Sequence, residues 1–359
     1  MDRIVVVMPN WFGETLFATP FLSALRAVRP DAVIAALGVS RCHEVLAHNP
    51  NLQELILYDE RGIHRSLRAK ARLIAELRSR QFDTAFILRR SLSRAVLLVL
   101  SGIPRRIGFA NPKSGWLLTH RIQAPPLPTH KAHAYLRLLE SFGLHEPQRS
   151  YQYYLSEEER EHTRTLLRAH GVSDGKPIVV LHPGANWAHK RWNPERFAEL
   201  ANRLIQRQPL FVVVTGGPDD QPLVQRMVER MTSQPVVLTG QTGLRQLAAC
   251  LEHASLVVAN DTGVLHIAAA LGRPVVALYG PTSPAITGPL GNPDRTIVIH
   301  HSDCCPTIPC LKPRHPGYPG MESITVDEVY EAAAQLLRGG RGSMKSEVGS
   351  MKETGREVV

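Results

Sequence analysis

The chain has 359 residues, of which 43% are hydrophobic and 21% charged, and its formal net charge is +10. Its length fits two domains of ordinary size, and five cysteines, an odd number, favour a reducing compartment over a disulfide scaffold. The apolar run 4–7 is too short for a signal peptide, and the run 95–100 is far below the roughly 20 residues of a membrane span, so we expect a cytoplasmic protein.

Short β-branched runs alternate with helix-length amphipathic segments along the first half. The predicted strands are residues 4–8, 33–36, 54–57, 84–87 and 106–109, and the predicted helices are 15–27, 41–48, 66–80 and 91–100. This alternation predicts a parallel sheet that is covered on both faces by helices.

The same alternation restarts after a polar, charged segment at 156–176. The predicted strands are 178–182, 210–215, 236–238, 256–259 and 275–278, and the predicted helices are 194–207, 221–232, 244–251 and 264–271. We therefore predict an α/β protein of two Rossmann-like domains, 1–172 and 173–338, which face each other across a cleft at the carboxyl ends of their strands. The polar, glycine-rich residues 339–359 are predicted to form a disordered tail.

Positive charge is concentrated between Arg61 and Lys131. This stretch holds fifteen Lys or Arg residues and only two acids, Glu76 and Asp83, so it carries +13 and the rest of the chain −3. A field of this size attracts an anionic partner, and nucleic acid, an anionic membrane surface and an anionic glycolipid all qualify. For any single residue a solvated basic face is the alternative. No nucleic-acid-binding motif accompanies the stretch, which disfavours nucleic acid.

The first motif follows the first predicted strand and reads PNWFGETL, residues 9–16. Its glycine, Gly13, allows the backbone to approach a ligand closely. Glu14 comes at the start of a predicted helix, where the helix dipole favours the ionised carboxylate that a general base requires. The alternative is an acidic residue that only stabilises the start of the helix.

The second motif follows the first strand of the second half and reads HPGANWAHKRW, residues 182–192. A loop with a glycine, polar side chains and two adjacent cations can hold a diphosphate, and Lys190 would offset the charge of a leaving group. The alternative is a long surface loop. The two tryptophans and the lysine–arginine pair favour a site.

Two further motifs follow later strands. In GGPDD, residues 216–220, Asp219 can accept hydrogen bonds from a ribose, although glycine, proline and aspartate also form ordinary turns. In NDTGVLH, residues 260–266, the backbone N–H groups at the start of a helix suit phosphates. Here the alternatives are a simple cap for Asp261 and a buried core residue for His266.

Together these motifs resemble glycosyltransferase family 9, the ADP-heptose:lipopolysaccharide heptosyltransferases. The segments that carry the resemblance are PNWFGETLFATP, LHPGANWAHKRWNPERFAELA, VVVTGGPDD and NDTGVLHIAAALGRPVVALYGPT, and the resemblance extends to about residue 337. The PNWFG variant is more similar to the heptosyltransferase II branch than to the I branch. The resemblance implies a GT-B fold, a lipid acceptor on the first domain, an ADP-sugar on the second, no cofactor and no obligatory metal.

The resemblance also implies roles for single residues. Glu14 is the candidate general base and Lys190 the candidate that stabilises the leaving group. The candidate donor-binding residues are Asn186, Lys190, Asp219, Asp261, Thr262, Gly263 and His266. The candidate acceptor-binding residues are Asn10, Trp11, Arg61, Arg65, Arg68, Arg89 and Arg90.

Two features depart from the family pattern. The general base of the family is an aspartate directly after the glycine of the first motif, and here that position is Glu14, which reaches one methylene further. The loop with Cys304, Cys305 and Cys310, near His300, His301 and His315, offers zinc-ligand types without a zinc spacing. We therefore predict ordinary thiols and no metal there.

The predicted reaction is transfer of L-glycero-D-manno-heptose from ADP-heptose to a lipopolysaccharide inner-core acceptor of the heptosyl-Kdo2-lipid A type, by an inverting single displacement. The basic first domain is expected to bind the acceptor's phosphates and carboxylates and to bring the protein to the cytoplasmic face of the inner membrane. The alternatives are another GT-B transferase, a nucleotide-sugar epimerase, which needs no acceptor, and an inactive glycolipid-binding protein.

Overall fold

The computed structural model describes residues 1–143, 150–173, 175–301 and 320–353. Its contacts divide the chain into two compact units. The first unit consists of Met1–Ser156 and Ala285–Thr287, and the second consists of Glu157–Pro284 and Gly288–Val359.

The first unit is a parallel sheet with helices between its strands. Its strands are β1 (Arg3–Val7), β2 (Val33–Gly38), β3 (Glu54–Leu57), β4 (Thr84–Ile87), β5 (Arg105–Phe109) and β6 (His120–Ile122). Its helices are α1 (Phe12–Phe17), α2 (Thr19–Val28), α3 (Ser40–Leu46), α4 (Leu67–Ser79), α5 (Leu92–Leu100) and α6 (Lys131–Leu136). The order β3-β2-β1-β4-β5-β6 places β1 in the interior of the sheet, where its apolar residues Ile4 to Val7 are at most 1% exposed.

The second unit repeats this construction. Its strands are β7 (Ile178–His182), β8 (Phe211–Val214), β9 (Val236–Val237), β10 (Leu256–Asn260), β11 (Val275–Tyr279) and β12 (Thr296–His300). Its helices are α7 (Glu157–Ala169), α8 (Pro194–Arg207), α9 (Gln221–Val228), α10 (Leu244–Glu252), α11 (Gly263–Ala270) and α13 (Val326–Glu353), and the short α12 (Pro284–Thr287) follows β11.

Both sheets have the same topology among the described residues. The second sheet runs β12-β11-β10-β7-β8-β9. Read from β9, and with β7 counted as the first strand, this order is third, second, first, fourth, fifth and sixth, as in the first sheet. Every registered strand pair is parallel, because the helical connections return the chain to the same edge. The prediction of two Rossmann-like parallel-sheet halves is confirmed. The motif-bearing loops follow the carboxyl ends of β1, β7, β8 and β10.

The boundary between the units lies earlier than the predicted position at 172. The charged segment after residue 156 forms the helix α7, whose Thr163 and Leu167 are buried. Arg160 contacts Glu252 of α10 at 2.8 Å, and Arg245 of α10 contacts Glu159 at 2.6 Å. The helix was not predicted because its many charged side chains leave few apolar residues to mark the buried face. Its packing against α10 assigns it to the second unit.

The end of the described chain also differs from the sequence prediction. The backbone of α13 continues as a helix to Glu353, whereas glycine-rich composition predicts disorder from residue 339 onward. In the part of the chain that the structure describes, no helix is both long and apolar enough to span a bilayer.

Candidate active site

Two buried side chains form hydrogen bonds to the loop after β1. Arg94 of α5 is 1% exposed, and its guanidinium donates to the carbonyl oxygen of Met8 at 2.5 Å and to Oδ1 of Asn10. The Cys42 thiol donates to the carbonyl oxygen of Pro9 at 2.8 Å, and burial raises the pKa of this thiol. These bonds hold the loop at the carboxyl end of the central strand.

Glu14 lies in the first turn of α1, immediately after this loop. Its Oε1 is 2.5 Å from Nζ of Lys131, which begins α6. The two side chains are 31% and 37% exposed, so both remain accessible from solvent. The sequence analysis did not single out Lys131, because its position 117 residues away gives no signal of the contact.

Five arginines that the sequence analysis assigned to an anionic acceptor lie on segments that follow β3 and β4. Arg61, Arg65 and Arg68 are exposed between β3 and the first turn of α4, and Arg89 and Arg90 are exposed just before α5. Since all strands of this sheet are parallel, these segments start from the same edge as the loop that carries Glu14. None of the five guanidinium groups forms an ion pair with a described acid.

Asn10 and Trp11, the other two acceptor candidates, have different surroundings. Oδ1 of Asn10 accepts from Arg94, so this side chain is already engaged within the fold. Trp11 is 55% exposed, and the guanidinium carbon of Arg41 lies 5.2 Å from the centre of its ring. Trp11 is therefore more than half exposed although Arg41 packs over its ring.

In the second unit the centre of the site is a largely buried ion pair. Nζ of Lys190 is 2.5 Å from Oδ2 of Asp261, and the two side chains are 15% and 8% exposed. The same carboxylate oxygen accepts from Oγ1 of Thr282 at 2.6 Å, and Oδ1 lies 3.8 Å from Nε2 of His266. Burial opposes ionisation, but His266 and Lys190 hold the pKa of Asp261 well below its usual range. Asp261 is thus a permanent anion that orients Lys190.

The loop 182–192 is attached to the end of β10 by Asn260. Oδ1 of this fully buried side chain accepts from the backbone N–H of Trp192 at 3.0 Å, and its Nδ2 donates to the carbonyl oxygen of Pro183 at 2.8 Å. Trp192 is itself a core residue, because it is 0% exposed and its Nε1 donates to the carbonyl oxygen of Ile324. Trp187, by contrast, is 46% exposed, and its ring centre is 5.6 Å from Nζ of Lys190.

The start of α11 provides groups suited to an anion. Its first backbone N–H groups have no partner within the helix, and Thr262, the N-cap, makes no capping bond with its side chain. The Oγ1 atom of Thr262 is buried without a hydrogen-bond partner among the described residues. A buried hydroxyl of this kind is costly unless a ligand completes it. Gly263 follows directly as the first residue of α11.

The predicted ribose-binding residue has a neighbour with a more buried position. Asp219 is exposed on the turn Pro218–Asp220, whereas the Asp220 carboxylate accepts from the backbone N–H of Gly217 at 3.0 Å and lies 3.5 Å from Arg191. A Cβ atom on Gly184 would displace this carboxylate, so the glycine leaves room for the Asp220 side chain between the two loops. The sequence analysis considered only Asp219, because nothing in the sequence distinguishes the exposed from the half-buried acid of this pair.

His182, at the end of β7, supports these loops. Its Nδ1 lies 3.0 Å from Oγ1 of Thr215, and burial lowers its pKa to about 4. It is therefore neutral at physiological pH. Asn186 of the same loop is exposed and stays a predicted donor contact.

The structure thus brings Lys190, Asp261, Thr262, Gly263 and His266 together in one unit, and Glu14 beside Lys131 in the other. Among the described residues no cluster of three or more His, Cys, Asp or Glu side chains could hold a metal ion. Cys304, Cys305, Cys310 and His315 lie outside the described residues. His300 and His301 are described and bond to the carbonyl oxygen of Gly280 and to Glu328.

Comparison with known proteins gives consistent matches. The profile of glycosyltransferase family 9 (heptosyltransferase) matches residues 70–314, which include the whole Lys190–Asp261 site but not Glu14. Lipopolysaccharide heptosyltransferase 2 of Salmonella typhimurium is 30% identical over 82% of this chain and 87% of its own length.

Two solved structures extend the likeness to the fold. A family 9 glycosyl transferase from Veillonella parvula superposes with a TM-score of 0.84 at 28% identity, covering 94% of this chain and 97% of its own. ADP-heptose lps heptosyltransferase II of E. coli gives a TM-score of 0.78 at 27% identity, covering 95% of this chain and all of its own.

Proposed function

Since the chain belongs to glycosyltransferase family 9, we propose that it transfers L-glycero-D-manno-heptose from ADP-heptose to a lipopolysaccharide inner-core acceptor. The observation that carries the proposal is the buried Lys190–Asp261 pair beside the open start of α11. It combines a fixed cation with free backbone N–H groups, which is the chemistry that a diphosphate leaving group needs.

The donor is proposed to bind in the second unit. Lys190, the Thr262 hydroxyl and the first N–H groups of α11 would contact the diphosphate. Asp261 and His266 would hold Lys190 and contact the sugar, because a carboxylate accepts hydrogen bonds from hydroxyl groups. Asp219 is the predicted ribose contact, and Asp220 is a second candidate because its carboxylate faces Gly184 and Gly217.

The proposed reaction is a single displacement. An acceptor hydroxyl oxygen forms a bond to C1 of the heptose while the bond from C1 to the diphosphate oxygen breaks, and its electron pair leaves with ADP. Glu14 takes the hydroxyl proton, and Lys190 offsets the charge that develops on ADP. Attack on the face opposite to the leaving group inverts the configuration at C1. No step in this scheme requires a cofactor or a metal.

The acceptor is proposed to be anionic and held by the first unit. Arg61, Arg65, Arg68, Arg89 and Arg90 are exposed and unpaired with any described acid, so they are available to phosphates and carboxylates of an inner-core glycolipid. Such an acceptor would bring the protein to the cytoplasmic face of the inner membrane as a peripheral protein.

The proposal is tested by incubating the protein with ADP-heptose, with and without a de-acylated inner-core acceptor, and measuring ADP release and product mass. We expect ADP release that depends on the acceptor and a product heavier by one heptose of inverted anomeric configuration. Release of ADP without a heptosylated product would indicate hydrolysis of the donor and contradict the transferase. Conversion of the donor to an isomeric ADP-sugar in the absence of acceptor would favour the epimerase alternative.

A further inference from the structure

Three large apolar side chains are exposed beside the arginines of the first unit. Ile63 and Leu67 are 64% and 83% exposed on the segment that follows β3, and Leu92 is 48% exposed at the start of α5. Exposed apolar side chains are ordinary when they are scattered singly. Here they alternate with Arg61, Arg65, Arg68, Arg89 and Arg90, and we call these eight residues the docking surface.

The segment after β3 is held in a defined conformation that directs its apolar residues outward. Oδ1 of Asp59 accepts from the backbone N–H groups of Arg61 and Gly62 at 3.0 and 3.1 Å. The N–H of His64 donates to the carbonyl oxygen of Asp59 at 2.9 Å, and Oγ of Ser66 caps α4 by accepting from Ala69. Ile63 and Leu67 are therefore presented by an ordered turn and a capped helix.

The acids nearest to this surface are engaged within the fold. The Asp59 carboxylate is occupied by the turn that it organises. Oε1 of Glu60 accepts from the hydroxyl of Tyr58 at 2.9 Å and from Oγ of Ser93. The bond from Glu60 to Ser93 also links the β3 segment to the start of α5, where Leu92 lies. The charge that the docking surface presents to solvent is therefore positive.

Apolar side chains surrounded by arginines match the chemistry of an anionic lipid bilayer. Moving aliphatic groups from water into the boundary between headgroups and acyl chains lowers the free energy, and the guanidinium groups pair with lipid phosphates. A soluble sugar phosphate would use the arginines but would give Ile63 and Leu67 nothing apolar to contact. We propose that the docking surface inserts into the surface of an anionic bilayer, next to the acceptor's own lipid.

This inference rests on the proposed function and adds an apolar anchor to it. The same arginines that hold the acceptor headgroup would then face the bilayer in which that acceptor is embedded. The anchor explains why apolar residues lie next to a site for a charged substrate.

The test compares the wild type with the double variant Ile63→Ser/Leu67→Ser, using sedimentation with vesicles of phosphatidylcholine that contain about 30% phosphatidylglycerol, and with vesicles of phosphatidylcholine alone. Leu127→Ser is the matched control, because Leu127 is 79% exposed and lies outside the docking surface. We expect the double variant to bind the anionic vesicles about tenfold more weakly, and the control to bind like the wild type.

A second measurement keeps this result separate from the proposed function. Transfer to the de-acylated, water-soluble acceptor should be unchanged in the double variant, because the aliphatic side chains of Ile63 and Leu67 cannot pair with the phosphates and carboxylates of that acceptor. Unchanged vesicle binding by the double variant, or no binding of the wild type to anionic vesicles, would overturn the apolar anchor. Absence of transfer by the wild type would overturn the proposed function, while the vesicle data would still decide the docking surface.

Discussion

At the scale of single residues, Asp261 and Lys190 depend on each other. Both side chains are largely buried, and a buried charge whose partner is removed destabilises a fold strongly. Asp261 remains ionised across the physiological pH range because His266 and Lys190 keep its pKa low. The pair is therefore both a structural element of the second unit and a candidate ligand contact, and the two roles can be separated experimentally.

Asp261→Asn is predicted to lower the free energy of unfolding by about 3–5 kcal/mol, because it leaves the Lys190 ammonium buried and unpaired. The double variant Asp261→Asn/Lys190→Met should recover most of this loss, since no unpaired charge remains, but should bind ADP weakly. Urea unfolding and calorimetric titration with ADP measure the two effects.

Glu195→Gln provides the control for this pair of variants. It removes an exposed ion pair with Arg226 in the same unit and should change stability by less than about 1 kcal/mol. If the double variant bound ADP like the wild type, the buried pair would be structural only.

At the scale of elements, α5 controls the loop that precedes the candidate base. Arg94 projects from α5 beneath this loop, and its guanidinium carbon also lies 5.7 Å from the ring centre of Tyr58. One planar guanidinium thus bridges the backbone of β1, Asn10 and the segment after β3. A lysine offers a single ammonium and cannot reproduce this geometry.

Arg94→Lys is predicted to lower kcat for transfer by about tenfold to a hundredfold, because a small displacement of the loop misplaces Glu14. The affinity for ADP should not change, since that site lies in the other unit. Steady-state kinetics with the soluble acceptor and titration with ADP test this together. Arg78→Lys, which alters an exposed arginine that donates to the carbonyl oxygen of Leu100, should leave both values unchanged.

Interior elements were predictable from the sequence, whereas short and charged elements were not. The runs of β-branched residues in β1, β4, β7 and β10 identify strands buried on both faces. β6 has three residues and no apolar run, and α7 is so rich in charge that the sequence analysis predicted no helix there. The strand β12 and the helix α13 were also absent from the sequence prediction.

The helix predicted at 15–27 contains a break that the apolar pattern does not reveal. The structure divides it into α1 and α2 at Ala18. Pro20 has no backbone N–H to bond to the carbonyl oxygen of Leu16, and Oγ1 of Thr19 donates to that oxygen instead at 2.8 Å. The apolar pattern continues through the break because both helices pack against the same core.

Site residues that directly follow a strand could be predicted from the sequence. Site residues that are defined by a contact with a segment far away in the chain could not. Lys190 and Asp261 belong to motifs directly after β7 and β10, which are neighbouring parallel strands. Lys131 and Arg94 have no such motif. Their contacts with Glu14 and Asn10 arise from packing between segments that are far apart in the chain.

At the scale of the whole molecule, the two units share one topology but differ in charge. The basic stretch from Arg61 to Lys131 lies entirely in the first unit. The donor candidates lie entirely in the second. Under the proposed function, the same topology would bind an anionic lipid acceptor in one unit and a nucleotide sugar in the other, because the loops at the strand ends carry different residues.

The most direct test of a base in the first unit and a donor site in the second is the variant Glu14→Gln. It is measured for transfer to the soluble acceptor and for affinity toward ADP. Glu76→Gln, which alters an exposed acid paired with Arg80 in the same unit, is the control. We predict that Glu14→Gln lowers kcat by about 10²–10⁴-fold, because the amide cannot take the acceptor proton, while ADP affinity and folding stay unchanged. Near-normal turnover by the folded Glu14→Gln protein would contradict the assignment of Glu14 as the base.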